Sequence, residues 1–193
     1  MEAKTGLLIW WILMMIQGMT CRPTCRPTDR PSVTPGCHVI ARTDFTKTIM
    51  KQLLEEFLSI NGNTSTTWPS ISELELTNLP CEEKIQKAQC GLNFMRMALE
   101  LIYQHQSELH NITKPIFNQT NAAIKELKLT NDCVSKAVGK CTKNITQPVF
   151  AHADYYSKKH WDQAVLETSV DFLDELLKMV RHLSSKKTLT SKK

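Results

Sequence analysis

The residues with the most chemistry in this 193-residue chain are seven cysteines, at positions 21, 25, 37, 81, 90, 133 and 141. In an oxidising compartment they pair, and the odd number leaves one thiol over. No two stand as Cys-x-x-Cys, so zinc-ribbon and thioredoxin chemistry has no starting point. Six histidines, His38, His105, His110, His152, His160 and His182, are scattered; His105 and His110 lie five apart and do not share a helix face. They read as solvent-exposed or loop residues. The carboxylates Glu167, Asp171, Asp174 and Glu175 fit a solvated helix face. Four Asn-x-Ser/Thr sequons, at Asn63, Asn111, Asn118 and Asn144, are acceptors for N-glycosylation. Nucleophile-elbow, dinucleotide, phosphate-loop and HExxH patterns are absent. The expectation is a protein that is not an enzyme, with no catalytic residue, metal or cofactor.

Such residues must be carried by something, and composition points to helices. Hydrophobic residues make up 41% of the chain and charged ones 22%, an ordinary globular balance. Six glycines, eight prolines and 7% aromatics are too few for a fold of many short strands and turns. A net charge of +5 without a long basic run does not call for nucleic acid. Residues 1–20 carry Lys4 and then ten apolar residues from Leu7 to Ile16, which reads as a secretory signal peptide. That run is too short to span a bilayer, which takes roughly 20 residues, and no membrane insertion is expected. Residues 21–36 repeat Cys-Arg-Pro-Thr with proline at every fourth position, an extended arm.

Helical periodicity starts at Thr43. Phe45, Ile49, Leu53, Phe57 and Ile60 mark a first helix over about 43–60, stopped by Asn61, Gly62 and Asn63. A polar connection runs from Thr64 to Pro80. Ile85, Leu92, Met95, Leu99 and Ile102 mark a second helix over about 82–109. Pro115 opens a third over 115–138, ended by Gly139. A second polar connection covers 139–156. Trp161, Val165, Phe172, Leu176 and Val180 mark a fourth helix over 157–184, with Asp174 and Lys178 paired on its outer face, before a basic tail, 186–193.

Connections ordered long, short, long make the middle pair antiparallel neighbours and allow the outer pairs to run parallel. The expected fold is all-α: an up-up-down-down long-chain four-helix bundle with long first and third crossover connections, stapled by disulfides, over 37–185. In that topology Cys37 reaches Cys133 or Cys141, whereas an up-down-up-down bundle would hold them a helix length apart, beyond the roughly 4.4–6.8 Å between Cα atoms that a disulfide permits. Cys81 and Cys90 are expected to bridge each other. Cys133 and Cys141 then take two of Cys21, Cys25 and Cys37; a local Cys133–Cys141 bridge is the alternative.

The junction Tyr155, Tyr156, Ser157, Lys158, Lys159, His160, Trp161 precedes the fourth helix. With Ser157 as N-cap, Tyr156 and Trp161 would form a hydrophobic staple, and Lys159 would oppose the helix dipole. The stretch Tyr156 to Trp161 resembles the aromatic-x-x-lysine motif that opens the fourth helix in the interleukin-6 family, in the branch containing ciliary neurotrophic factor and leukaemia inhibitory factor. Tyr156 stands where the family has Phe, and Asp162 where the neurotrophic factor has Gly. Tyr155 with Lys158 fits the bare motif as well, and Trp161 favours the other register. The spacing of Cys81 and Cys90 is similar to the small disulfide loop of interleukin-6 and granulocyte colony-stimulating factor.

The resemblance implies a secreted, extracellular, monomeric class I helical cytokine that brings cell-surface receptor chains together and so triggers kinase signalling. A leukaemia-inhibitory-factor-receptor type chain would bind Tyr156, Lys159 and Trp161, and a shared glycoprotein-130 type chain the exposed face of the first and third helices, with Lys47, Lys51 and Glu55 as candidates. Two other readings stand beside it. The chain could be the alpha subunit of an interleukin-12-like heterodimer, its odd cysteine bonded to a partner, or a secreted helical carrier of apolar ligands.

Overall fold

The computed structural model describes residues 37–63, 68–111, 114–143, 145, 147–148, 150 and 154–190, the side chains of Cys81 and of 186–190 excepted, and among these residues there are four α-helices. They are α1 Val39–Asn61, α2 Cys81–Ser107, α3 Pro115–Val138 and α4 Tyr155–Thr190, with one 3-10 turn at Ser72–Leu74. No strand occurs among the described residues. The expected signal peptide and the expected proline-rich arm lie outside them.

Local chemistry sets most of the ends. Gly62 and Gly139 take positive φ, +70° and +102°, and their N–H groups donate to the carbonyls of Leu58 and Ser135. Pro115 sits in the first turn of α3, where its missing N–H leaves no hydrogen bond unmade. Glu82 and Glu83 place negative charge at the positive end of α2. Helix α4 starts two residues before the expected Ser157, because the Asp154 carboxylate accepts from the Ser157 backbone N–H at 2.8 Å and is the capping group. It also runs on to Thr190, through the first part of the expected basic tail.

Packing follows the apolar stripes. α1 lies along α3 and α4, and α2 lies along α3 and, more lightly, along α4. Met50, Leu53, Phe57, Leu92, Met95 and Phe172 are among the fully enclosed side chains. Two features depart from the sequence pattern. Phe45, on the apolar spacing of α1, is 54% exposed. The connection expected to be polar contributes Ile71, Leu74 and Leu76 to the core, through the 3-10 turn packed on α2 and α4.

The disulfides correct one expectation and bear out another. Cys37 bonds Cys133 with Cα atoms 5.7 Å apart, as anticipated. Cys81 and Cys90 do not bridge: Cys90 bonds Cys141 instead, Cα to Cα 5.0 Å. The reason is the helix itself. Because α2 already begins at Cys81, nine residues of rise separate the two cysteines by about 13 Å along the axis, twice what a disulfide spans. Cys21 and Cys25 lie outside the described residues.

Side chains also join the helix ends. Asn61 Nδ2 at the end of α1 donates to Gln106 Oε1 at the end of α2, at 3.1 Å. Gln89 near the start of α2 donates to the Val138 carbonyl at the end of α3. Gln163 near the start of α4 donates to Asn63 just past α1, at 2.8 Å.

Candidate functional site

The first turns of α4 carry the residues expected to bind a partner, and the structure sorts them. Tyr155 and Tyr156 lie inside the helix and are exposed, Tyr156 at 61%. Three residues on, Lys159 shares a face with Tyr156 and takes part in none of the ion pairs among the described residues. The other register is tied down: Lys158 reaches across to Glu108 at the end of α2. That hydrogen bond holds the Glu108 carboxyl below the usual carboxylate range. Tyr156 is therefore the exposed aromatic of its register, its ring 4.0 Å from that of His160, with the half-buried Lys159 one turn on, whereas the lysine in register with Tyr155 is engaged by Glu108.

Trp161 is a correction. It is only 7% exposed, its ring 5.7 Å from that of His105 and 5.8 Å from that of Phe150, so it is a core residue and not a contact for a partner. It does line one side of an open depression of about 320 Å³, with Trp68, Ile71, Phe94 and Pro148. The staple is corrected with it: Asp154 caps, so Tyr156 is the second helical residue and cannot stand outside the helix to pack on Trp161. Lys159 correspondingly sits past the first turn, where the helix dipole hardly opposes it.

Of the candidates on α1, Lys51 and Glu55 are exposed. Lys47 is half-buried and engaged, its Nζ 3.1 Å from Asp174 on α4 and 3.8 Å from Asp44. Asp174 also takes the expected pair with Lys178 at 2.9 Å, and both lysines hold its carboxyl below the ordinary range. Two residues that the sequence did not offer as contacts mark a second surface. Arg42 on α1 is ion-paired with Glu126 on α3. Phe45 follows Arg42 by one turn and Leu129 follows Glu126 by one turn, so both exposed apolar side chains, at 54% and 49%, flank the same α1–α3 seam.

The sequence also misplaced polar residues in the interior. His105 and His160 are each 4% exposed, and Asp162 is enclosed completely. Burial raises the Asp162 carboxyl above its ordinary value, and hydrogen bonds from His105 and Gln106 draw it part of the way back. His110 is lowered by burial, with the Lys114 charge adding to the effect. Asn63, Asn111 and Asn118 are exposed, Asn118 on α3, while Asn144 lies outside the described residues. No group of three His, Cys, Asp or Glu that could hold a metal occurs among the described residues. None of their helices is long and apolar enough to cross a membrane.

No model of a known protein family, no curated protein and no solved structure matches the chain.

Proposed function

We propose that this chain is a secreted helical cytokine of the interleukin-6 kind, which acts by holding two receptor chains together. The observation that carries the reading is the exposed Tyr156 with the half-buried Lys159 three residues on, at the start of α4. A tyrosine ring is among the side chains that carry most of the energy at protein interfaces. The Phe45 and Leu129 surface along the α1–α3 seam supplies a second, separate face, as joining two receptors requires. It replaces Lys47, which is engaged within the fold with Asp174 on α4; Lys51, one turn on from Lys47, and Glu55 are exposed.

An up-up-down-down arrangement supports the same reading. α1 and α2 end together at the Asn61–Gln106 bond, and the Asp162–His105 bond brings the start of α4 to that end. Cys37–Cys133 and Gln89–Val138 bring the end of α3 to the starts of α1 and α2. Two disulfides, exposed sequon asparagines and an apolar leader fit secretion. With the interior filled by large side chains, a carrier of apolar ligands would lack an enclosed cavity of its own. The heterodimer reading keeps one specific support, since pairing of four cysteines leaves Cys21, Cys25 and Cys81, an odd number.

The test is binding of the mature chain to immobilised class I cytokine receptor ectodomains. Tyr156→Ala and Lys159→Ala are each expected to weaken one receptor about tenfold or more, and Phe45→Ser with Leu129→Ser to weaken a different one. Absence of binding, or binding indifferent to both sets, defeats the proposal. A disulfide-linked complex with a co-expressed receptor-like chain on non-reducing electrophoresis would establish the heterodimer in its place.

A further inference from the structure

Beneath the junction lies a buried polar network where three helices meet. Asp162 on α4 is completely enclosed, its Oδ1 2.6 Å from His105 Nδ1 and its Oδ2 3.0 Å from Gln106 Nε2, both on the last turns of α2. Gln106 Oε1 accepts from Asn61 Nδ2 of α1 at 3.1 Å, and Asn61 Oδ1 stands 3.4 Å from His110 Nε2. His105 is fixed on its other sides by the rings of Trp161 and Phe150, 5.7 and 5.2 Å away.

The ionised carboxylate differs from every other member in having only acceptors; the amides could be flipped and the imidazoles could exchange tautomers. With Asp162 at its end, the network has one sense. His105 must carry its proton on Nδ1, Gln106 must turn its NH₂ to α4 and its oxygen to Asn61, and Asn61 must turn its oxygen to His110. An asparagine at 162 keeps only one acceptor oxygen, and with that oxygen towards Gln106 its NH₂ faces His105 Nδ1, which could accept only by giving up its proton. Burying a charge opposes stability, so what the carboxylate contributes here is orientation. Asp162 follows Lys159 by three residues and Tyr156 by six. Lys158, four before it, is bonded to Glu108 on the same end of α2.

We infer that Asp162, His105 and Gln106 are positioning residues, which set the rotation and height of the first turns of α4 against the end of α2 and so the direction in which Tyr156 and Lys159 project. This rests on the junction being a receptor contact, as proposed above.

The experiment uses the full mature chain as wild type and as Asp162→Asn, with three readouts. Amide hydrogen exchange over 155–163 is expected to quicken about tenfold, the loss of one hydrogen bond to a charged group, while 170–180 keeps the wild-type rate. The imidazole nitrogen shifts of His105 are expected to lose the Nδ1–H pattern, which a merely space-filling role would leave in place. Affinity for the receptor that Tyr156→Ala weakens is expected to fall about tenfold, with binding through Phe45 and Leu129 unchanged. Exchange and His105 shifts that match the wild type overturn the inference, whatever receptors bind. Localised loss of protection in a chain with no Tyr156-dependent receptor upholds the positioning and removes the binding site. Should Asp162→Asn fail to fold, His105→Asn, which takes away the ring and keeps the Asp162–Gln106 bond, carries the exchange and affinity readouts, and wild-type exchange over 155–163 in that variant overturns the inference.

Discussion

Asp162 puts a charge among residues whose spacing otherwise provides only for packing, and its titration gives a prediction at this scale. Burial raises its carboxyl, so the folded chain keeps the proton at a pH where the unfolded chain has lost it. Stability contributed by that proton is complete below the ordinary carboxylate value and is lost as pH rises through the raised one. Thermal unfolding of wild type and Asp162→Asn across pH 3.5 to 7.5 is expected to show the wild-type advantage shrinking as pH rises. An advantage that grows would mean that the His105 hydrogen bond outweighs burial. A trace of this network was legible: His105 and Gln106 follow Ile102 by three and four residues, and Asp162 precedes Val165 by three, all on inward spacings. Polar residues at inward positions are the signal. Which of them meet is not written in it, because His105 and Asp162 are 57 residues apart.

Among the helices, α3 has the bounds that its Pro115 and Gly139 give it, since both act on their own backbone. The start of α4 was misplaced by two residues because Asp154 and Ser157 both offer a capping oxygen, and only the backbone path selects one. Closer still is the approach of α4 to α2 at Gly91. A Cβ there would stand 2.5 Å from Phe172 Cε2 and 3.4 Å from the Glu73 carbonyl, with Phe172 itself enclosed in the core. Gly91→Ala, despite the better helix propensity of alanine, is expected to destabilise the fold by about 1–3 kcal/mol in chemical denaturation. A gain in stability would mean that the Phe172 ring has room to withdraw. The same neighbourhood explains why the first connection was misjudged: Ile71, Leu74 and Leu76 follow no helical or strand period, yet the 3-10 turn lays all three inward.

At the scale of the whole molecule, Cys37–Cys133 and Cys90–Cys141 tie α1 and α2 to the end of α3 and just beyond it. Closing 51 residues, the second bond removes unfolded-state entropy worth about 4 kcal/mol in the chain-entropy account. The double variant Cys90→Ser, Cys141→Ser, which leaves no new thiol, is expected to lose up to about that much stability in denaturant under non-reducing conditions. A loss of a few tenths of a kcal/mol would mean that packing and the Gln89–Val138 bond already hold these ends together. The two candidate surfaces belong to this scale as well, one formed within α4 and the other only by bringing α1 beside α3.

What the sequence by itself determined is what acts over a few residues: four helices, stops at Gly62 and Gly139, the Asp174–Lys178 pair one turn apart, and an inward stripe on each helix. Tertiary structure decided what depends on chains far apart in sequence. It buried Trp161 and exposed Phe45, though both sit on apolar spacings, because a stripe fixes a face and the neighbouring helices fix how much of it is covered. It gave Cys90 to Cys141 because helix rise carries Cys81 out of reach, and it left Tyr156 exposed while burying Asp162 six residues on against a histidine 57 residues away in sequence.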